Sequence, residues 1–193
     1  MDEPDLTPAR LDTFSDGVLA IAVTVMLLDL KAPQGGHPSD LGPLWPGFLS
    51  YLISFAFVAL FWVNHRHILR RLKKVTEPVL WTNIAFLFLI TLIPFSTSYM
   101  ARSSIAAFPT ALYAAVIGAC GMTFGILRSL IAEGIEDAAL KRKFAGPKVA
   151  IVGAATFALL AASAVMAYVA SPLAALGLIV ISSLLHFAPI TRR

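Results

Sequence analysis

Arg10–Leu30, RLDTFSDGVLAIAVTVMLLDL, decides how the rest of this chain is read. The stretch is apolar and long enough to cross a bilayer, yet its first two turns carry Arg10, Asp12 and Asp16. Ionisable groups at membrane depth are rare and tend to face a bundle interior or a water-filled path, which marks this helix as functional. Thr7-Pro8 just upstream reads as an N-cap followed by proline at the first helical position, predicting a helix from Pro8 to Leu30. At about 1.5 Å per residue such a helix is about 34 Å long, enough for the hydrocarbon core.

The faces of this helix follow from a turn of about 100° per residue. Ile21, Val25 and Leu28 fall within roughly 60° of one another and form one apolar stripe. Asp16 lies about 140° from Ile21, and Ser15 about 120° away on the other side. Polar and aliphatic chemistry therefore occupy different faces. Angles by themselves favour an ordinary buried helix whose apolar stripe is core; they also suit a pore-lining helix in a symmetric bundle, braced by polar groups behind.

Composition places the whole chain in the membrane class. Of 193 residues, 58% are hydrophobic and 13% charged, and the mean hydropathy is +0.80. Apolar runs beyond the roughly 18-residue threshold recur, so the chain is a polytopic helical membrane protein with little soluble mass. The acidic N-terminus (Asp2, Glu3, Asp5) is unlike a signal peptide, and the first helix is expected to be retained. A net charge of +4 invites a nucleic-acid reading, but the basic residues collect in alternate loops. The single cysteine, Cys120, lies in a hydrophobic run; it excludes an intrachain disulfide and reads as a small buried hydrophobe.

Six spans are expected. After the first helix, Lys31–Pro43 is a Pro/Gly-rich loop, and the second span runs from Leu44 to about Asn64, ending in FWVNHRHILRRLKK. Pro78–Ala101 makes a third, with Pro94 expected to kink it. Ser103–Leu127 makes a fourth. The link Arg128–Lys148 carries Glu133/Asp137 and Asp137/Lys141 at i,i+4, predicting a short surface helix. Val149–Thr191 is too long for one crossing and divides at Ser171-Pro172 into a fifth and a sixth helix. Of the 15 Lys and Arg residues, all but Lys31 and Arg102 fall in the second-to-third and fourth-to-fifth links or towards the termini. The positive-inside rule then puts both termini in the cytoplasm. Small residues four apart (Ala114/Gly118, Gly121/Gly125, Ala158/Ala162) predict close packing of the fourth and fifth helices on their neighbours. The chain is expected to be one domain over residues 1–193.

Trp62, Asn64, His65 and Asn83 sit where lipid-facing residues would be apolar. Trp62 reads first as an interfacial aromatic anchor. His65 and Asn83 lie at the depth of Ser15 and Asp16, so a hydrogen-bonded cluster among them is expected, and pairing of Asp16 with Arg10 or His65 would reduce its desolvation cost. Arg10 lies nearer the Ile21 side and reaches Asp16 only by wrapping the helix. His65 and His67 point in different directions and make a poor metal pair. GxxxxGK[ST], GxSxG and HExxH are absent, as is the TVGYG filter, so neither an enzyme nor a carbonyl-filter channel is indicated.

Arg10, Phe14, Ser15, Asp16 and Gly17 (RxxxFSDG), then Phe61, Trp62 and His65 (FWxxH), then Asn83 with Pro94-Phe95, appear in that order on six helices. In this the chain resembles the prokaryotic transmembrane protein 175 family. The resemblance implies a homotetrameric potassium-permeable channel in the plasma (inner) membrane of a prokaryote, with first helices around a central pore and no cofactor beyond the permeant ion. The family's constriction maps onto Ile21, Val25 and Leu28, with a pore-lining hydroxyl at Thr24; Val25 departs from the larger aliphatic usual there, which would widen the middle ring. Arg10, Phe14, Ser15, Asp16, Trp62, His65 and Asn83 correspond to the polar cluster that braces the pore helix. A rival reading of the residues is a proton-coupled transporter or proton pathway using Asp16 and His65, and a third is a membrane-embedded assembly protein.

Overall fold

Thr7 starts the first helix as its position predicts: Thr7 Oγ1 accepts from the Arg10 backbone N–H at 3.3 Å, and Pro8 occupies the first turn. The computed structural model describes residues 7–191, with side chains described through Ser182; Asp2, Glu3, Asp5, Arg192 and Arg193 lie outside the described residues. Among the described residues the chain is helical throughout, with no strand. The helices are α1 (Pro8–Leu28), α2 (Trp45–Leu69, entered through a 3-10 turn at Pro38–Leu44), α3 (Glu77–Arg102) and α4 (Ala107–Glu133). After a short α5 (Ala138–Ala145) come α6 (Pro147–Val169) and α7 (Pro172–Thr191). The six long helices match the expected spans, with shifted ends. α1 stops at Leu28 instead of Leu30, α2 runs on from Asn64 to Leu69, and α4 covers Ala107–Glu133 in place of Ser103–Leu127.

The division at Ser171-Pro172 falls where expected, and α3 continues through the buried Pro94 to Arg102. The link after α4 holds the expected short helix, but the role of Asp137 differs from expectation. Asp137 is not inside a helix pairing with Lys141; it caps α5, accepting from the backbone N–H groups of Ala139 (2.8 Å) and Leu140 (3.2 Å). A capping carboxylate satisfies donors that no intrahelical carbonyl reaches, which outweighs a surface ion pair.

α3 ends in a Schellman arrangement: Ile105 N–H donates to Met100 C=O (2.9 Å) and Ser104 N–H to Ala101 C=O (3.2 Å). Glycine normally fills the left-handed position. Here Ser104 (φ 52°) and Ile105 (φ 59°) adopt it, and burial of Ile105 beside Met100 offsets part of the strain.

α3 lies at the centre, with α1 and α2 on one side and α4 on the other; α6 packs on α4, and α7 on α6. Buried rings of Phe61, Phe86 and Phe124 join α2, α3 and α4, with centroids 5.5–6.0 Å apart. Ala114 and Gly118 face this packing, and a Cβ on Gly118 would stand 3.6 Å from Leu160 of α6. Ala158 and Ala162 do not: both are exposed, and α6 buries Thr156, Leu160, Ser163 and Ala167 instead. Spacing of four identifies a stripe of small residues but not the rotation of the helix that carries it.

Candidate functional site

α1 buries Leu11, Ser15, Leu19, Ala22 and Met26 against α2 and α3. The 3.6-residue period then leaves Ile21, Val25 and Leu28 pointing away from the rest of the chain, 64%, 41% and 79% exposed. Thr24 shares this open face, and its Oγ1 donates to Ile21 C=O at 3.0 Å, or to Ala20 C=O at 3.3 Å. With its hydrogen turned back on its own helix, the hydroxyl oxygen offers lone pairs outward. Gly17 is exposed on the same helix, with nothing within 4 Å of where a Cβ would stand.

Behind α1 runs a directional hydrogen-bond chain. His65 Nε2–H donates to Asn83 Oδ1 (2.7 Å), Asn83 Nδ2–H to Ser15 Oγ (3.0 Å), and Ser15 O–H to Leu11 C=O (2.8 Å). All three side chains are fully buried. Because the Asn83 amide donates to Ser15, its oxygen must accept from His65, which places a proton on Nε2; Nδ1 is left buried without a partner. The imidazole stacks on Phe86, centroids 5.6 Å apart. One residue from each of α1, α2 and α3 is thereby locked at one depth.

Asp16 stands apart from this chain. Its Oδ1 accepts from Trp62 Nε1–H at 2.7 Å, so neither Arg10 nor His65 is its hydrogen-bond partner. Trp62 is only 37% exposed, and its ring lies under the Arg66 guanidinium, 5.7 Å from the centroid. It therefore ties α2 to α1 and is more than an interfacial anchor. Arg10 and Phe14 lie outside both hydrogen-bonded groups: each is exposed, Phe14 at 60%. Arg10 points away from Asp16 because they are six residues apart, about 240° around the helix. Asn64 is buried but ties no helices together, since its Nδ2 donates to Leu60 C=O in its own helix (2.8 Å).

A second polar layer has no counterpart in the sequence motifs. Ser54 Oγ of α2 lies 2.7 Å from Thr97 Oγ1 of α3 and 3.0 Å from Tyr113 OH of α4, and Thr97 Oγ1 donates to Met26 Sδ of α1 at 3.8 Å. Four helices meet there. Hydroxyls in otherwise charge-free spans are the sequence signal that would have marked it. At the far end of α1, Asp29 accepts from Arg102 at 3.1 Å beside a cavity of ≈ 410 Å³ that also touches Lys31 and Tyr51.

The arrangement has known counterparts. Residues 10–94, which hold every residue of both α1 faces together with Trp62, His65 and Asn83, match the family model described as endosomal/lysosomal potassium channel TMEM175. A potassium channel of Chryseobacterium sp. (strain P1-3) is 40% identical over 138 residues, spanning 70% of this chain and 71% of that one. The chain belongs to the TMEM175 family. A solved TMEM175 homologue from Chamaesiphon minutus, described as a lysosomal potassium-selective channel homologue, superposes with a TM-score of 0.67 at 29% identity. The match covers 91% of this chain and 97% of that one. The similarity to the bovine TMEM175 protein, named an endosomal/lysosomal proton channel, is 35% over 91 residues, 41% of this chain but 19% of that one. The TMEM175 fold and a multi-pass membrane architecture are therefore established for this chain.

Proposed function

We propose that four copies of this chain surround an axis lined by α1 and conduct cations, chiefly potassium, across the plasma membrane of a prokaryote. The observation that carries this reading is the exposure of Ile21, Val25 and Leu28 on the side of α1 opposite the buried Ser15–Asn83–His65 chain. A branched aliphatic stripe held at fixed rotation by hydrogen bonds to two neighbouring helices is what a narrow hydrophobic constriction requires. Rings of Ile21, Val25 and Leu28 exclude water when narrow, so an ion passes only by shedding part of its shell, and the outward oxygen of Thr24 compensates some of that loss. Val25 is the least bulky of the three and makes the middle ring the widest. No carbonyl filter and no bound cofactor takes part.

The name of the relative from Chryseobacterium sp. and the description of the Chamaesiphon minutus channel as potassium-selective support potassium as the ion. Both termini, the α2–α3 link and α5 are assigned to the cytoplasm, on the asymmetry of Lys and Arg. Residues 1–193 act as one channel domain. Arg10 and Phe14, exposed in the single chain, are assigned to contacts between neighbouring copies near the cytoplasmic mouth. A proton relay through Asp16 and His65 is less well supported, since Asp16 is held by Trp62 and His65 by Asn83, with no hydrogen bond joining the two.

The test is a reversal-potential measurement on the purified chain in planar bilayers. With a potassium gradient at equal pH, the potential is expected to follow potassium. A potential that follows a pH gradient instead would support the relay, and protein that passes no ions would leave an assembly role.

A further inference from the structure

Arg128 is the buried charge that the pore reading does not use. Because α4 continues to Glu133, Arg128 lies within that helix and is only 6% exposed. Its Nε is buried without a hydrogen-bond partner. The ion pairs Lys73–Glu136 and Arg102–Asp29 engage other residues, and among the described residues no carboxylate is paired with Arg128. An unpaired buried guanidinium is costly and calls for an anion.

Two openings meet at this side chain. One is a cavity of ≈ 40 Å³ lined by His67 of α2, Arg71 just after that helix, Arg128, and Leu140, Lys143 and Phe144 of α5. It holds four basic side chains and no acid; the nearby Asp137 is occupied in capping α5, and Glu136 in pairing with Lys73. Its volume is a few times what one water needs, about 10–15 Å³, which suits a phosphate group but not a hydrocarbon chain. The other is a groove of ≈ 520 Å³ between α4 and α6, lined mostly by apolar atoms of residues such as Gly121, Gly125, Gly153 and Phe157, with Arg128 at its end. Glycine lets the groove form: nothing stands within 4 Å of a Cβ placed at Gly121, Gly125 or Gly153.

We propose that this place binds an anionic phospholipid, its phosphate among Arg128, His67, Arg71 and Lys143 and one acyl chain along the α4–α6 groove. A basic pocket between membrane helices on the side rich in Lys and Arg, continuous with an apolar channel, has the charge and shape of such a lipid at the inner leaflet. Arg128 gains the partner that the protein itself does not supply. The site rests on the membrane reading and not on the pore, so lipid binding and conduction fail independently.

Native mass spectrometry of the full chain in detergent, with equal amounts of phosphatidylglycerol and phosphatidylcholine of the same acyl composition, tests it. Retained phosphatidylglycerol adducts are expected to exceed phosphatidylcholine adducts by about tenfold, the equivalent of one charge-assisted hydrogen bond. Arg128→Gln and Lys143→Gln should each lower that ratio, and Gly125→Leu, which fills the groove, should reduce both lipids. Lys143 is exposed on α5, so its variant remains decisive if Arg128→Gln fails to fold. Equal retention of the two lipids overturns the site, as does a preference unchanged in Lys143→Gln. Displacement of phosphatidylglycerol by millimolar inorganic phosphate would mark a site for a free anion. A Gly125→Leu variant that alters the oligomer mass but not lipid retention would assign the groove to a second copy of the chain.

Discussion

Asn83→Ala tests whether α1 is held in place by the chain of hydrogen bonds behind it. Asn83 is fully buried and bridges two helices, accepting from His65 at 2.7 Å and donating to Ser15 at 3.0 Å. Interhelical hydrogen bonds in membrane proteins contribute roughly 0.6–1.7 kcal/mol each. Truncation also strands the His65 Nε2–H in a buried site where Nδ1 already lacks a partner, a penalty of about 1 kcal/mol or more. The expected loss is about 2–4 kcal/mol, at least a thirtyfold shift in the folding equilibrium. Asn64→Ala is the internal control, because Asn64 is equally buried but bonds only within α2; it should cost clearly less. The readout is unfolding of the purified protein in mixed detergent, followed by tryptophan fluorescence. A double-mutant cycle with Ser15→Ala should return a coupling of at least about 0.5 kcal/mol. An Asn83→Ala loss no larger than that of Asn64→Ala, together with no measurable coupling to Ser15, would refute the brace.

Replacing Ile21 by Asn puts a hydrated amide on the open face of α1, so the ring should wet more easily; conductance should rise severalfold and potassium-over-sodium preference weaken in single-channel recordings. If a normally assembled Ile21→Asn protein keeps both unchanged, α1 does not line the pore at this level. Cysteines introduced at Gly36 and Gly134, where a Cβ meets no close contact, should label from outside and inside respectively; labelling of both from one side contradicts the orientation. Ser104→Gly places glycine at the left-handed position that ends α3 and should stabilise the protein by about 0.5–1 kcal/mol, seen as a higher Tm; a lowered Tm would mean that the serine side chain holds the turn.

The FSDG, FWxxH and Asn83 residues were legible in the sequence as one polar group, and their common depth followed from counting along the helices. Their pairing was not. Asp16 takes its hydrogen bond from Trp62 rather than from Arg10 or His65, and the cluster divides into a buried chain and a separate, partly exposed pair. Ala158 and Ala162 had the spacing of a packing face, yet they lie on the exposed side of α6.

What the sequence determined by itself is local. Each helix satisfies its own backbone hydrogen bonds, so length, hydropathy, caps and prolines were enough to place the six long helices and to separate the Ile21 stripe from Ser15. Tertiary structure alone decided how each helix is rotated and how deep it sits against its neighbours. Those settings brought Ser15 to Asn83, 68 residues away, gathered Ser54, Thr97 and Tyr113 into one layer, and buried Arg128 beneath α5. Rotation and depth are set by packing among several helices at once, and no single stretch of sequence contains that information.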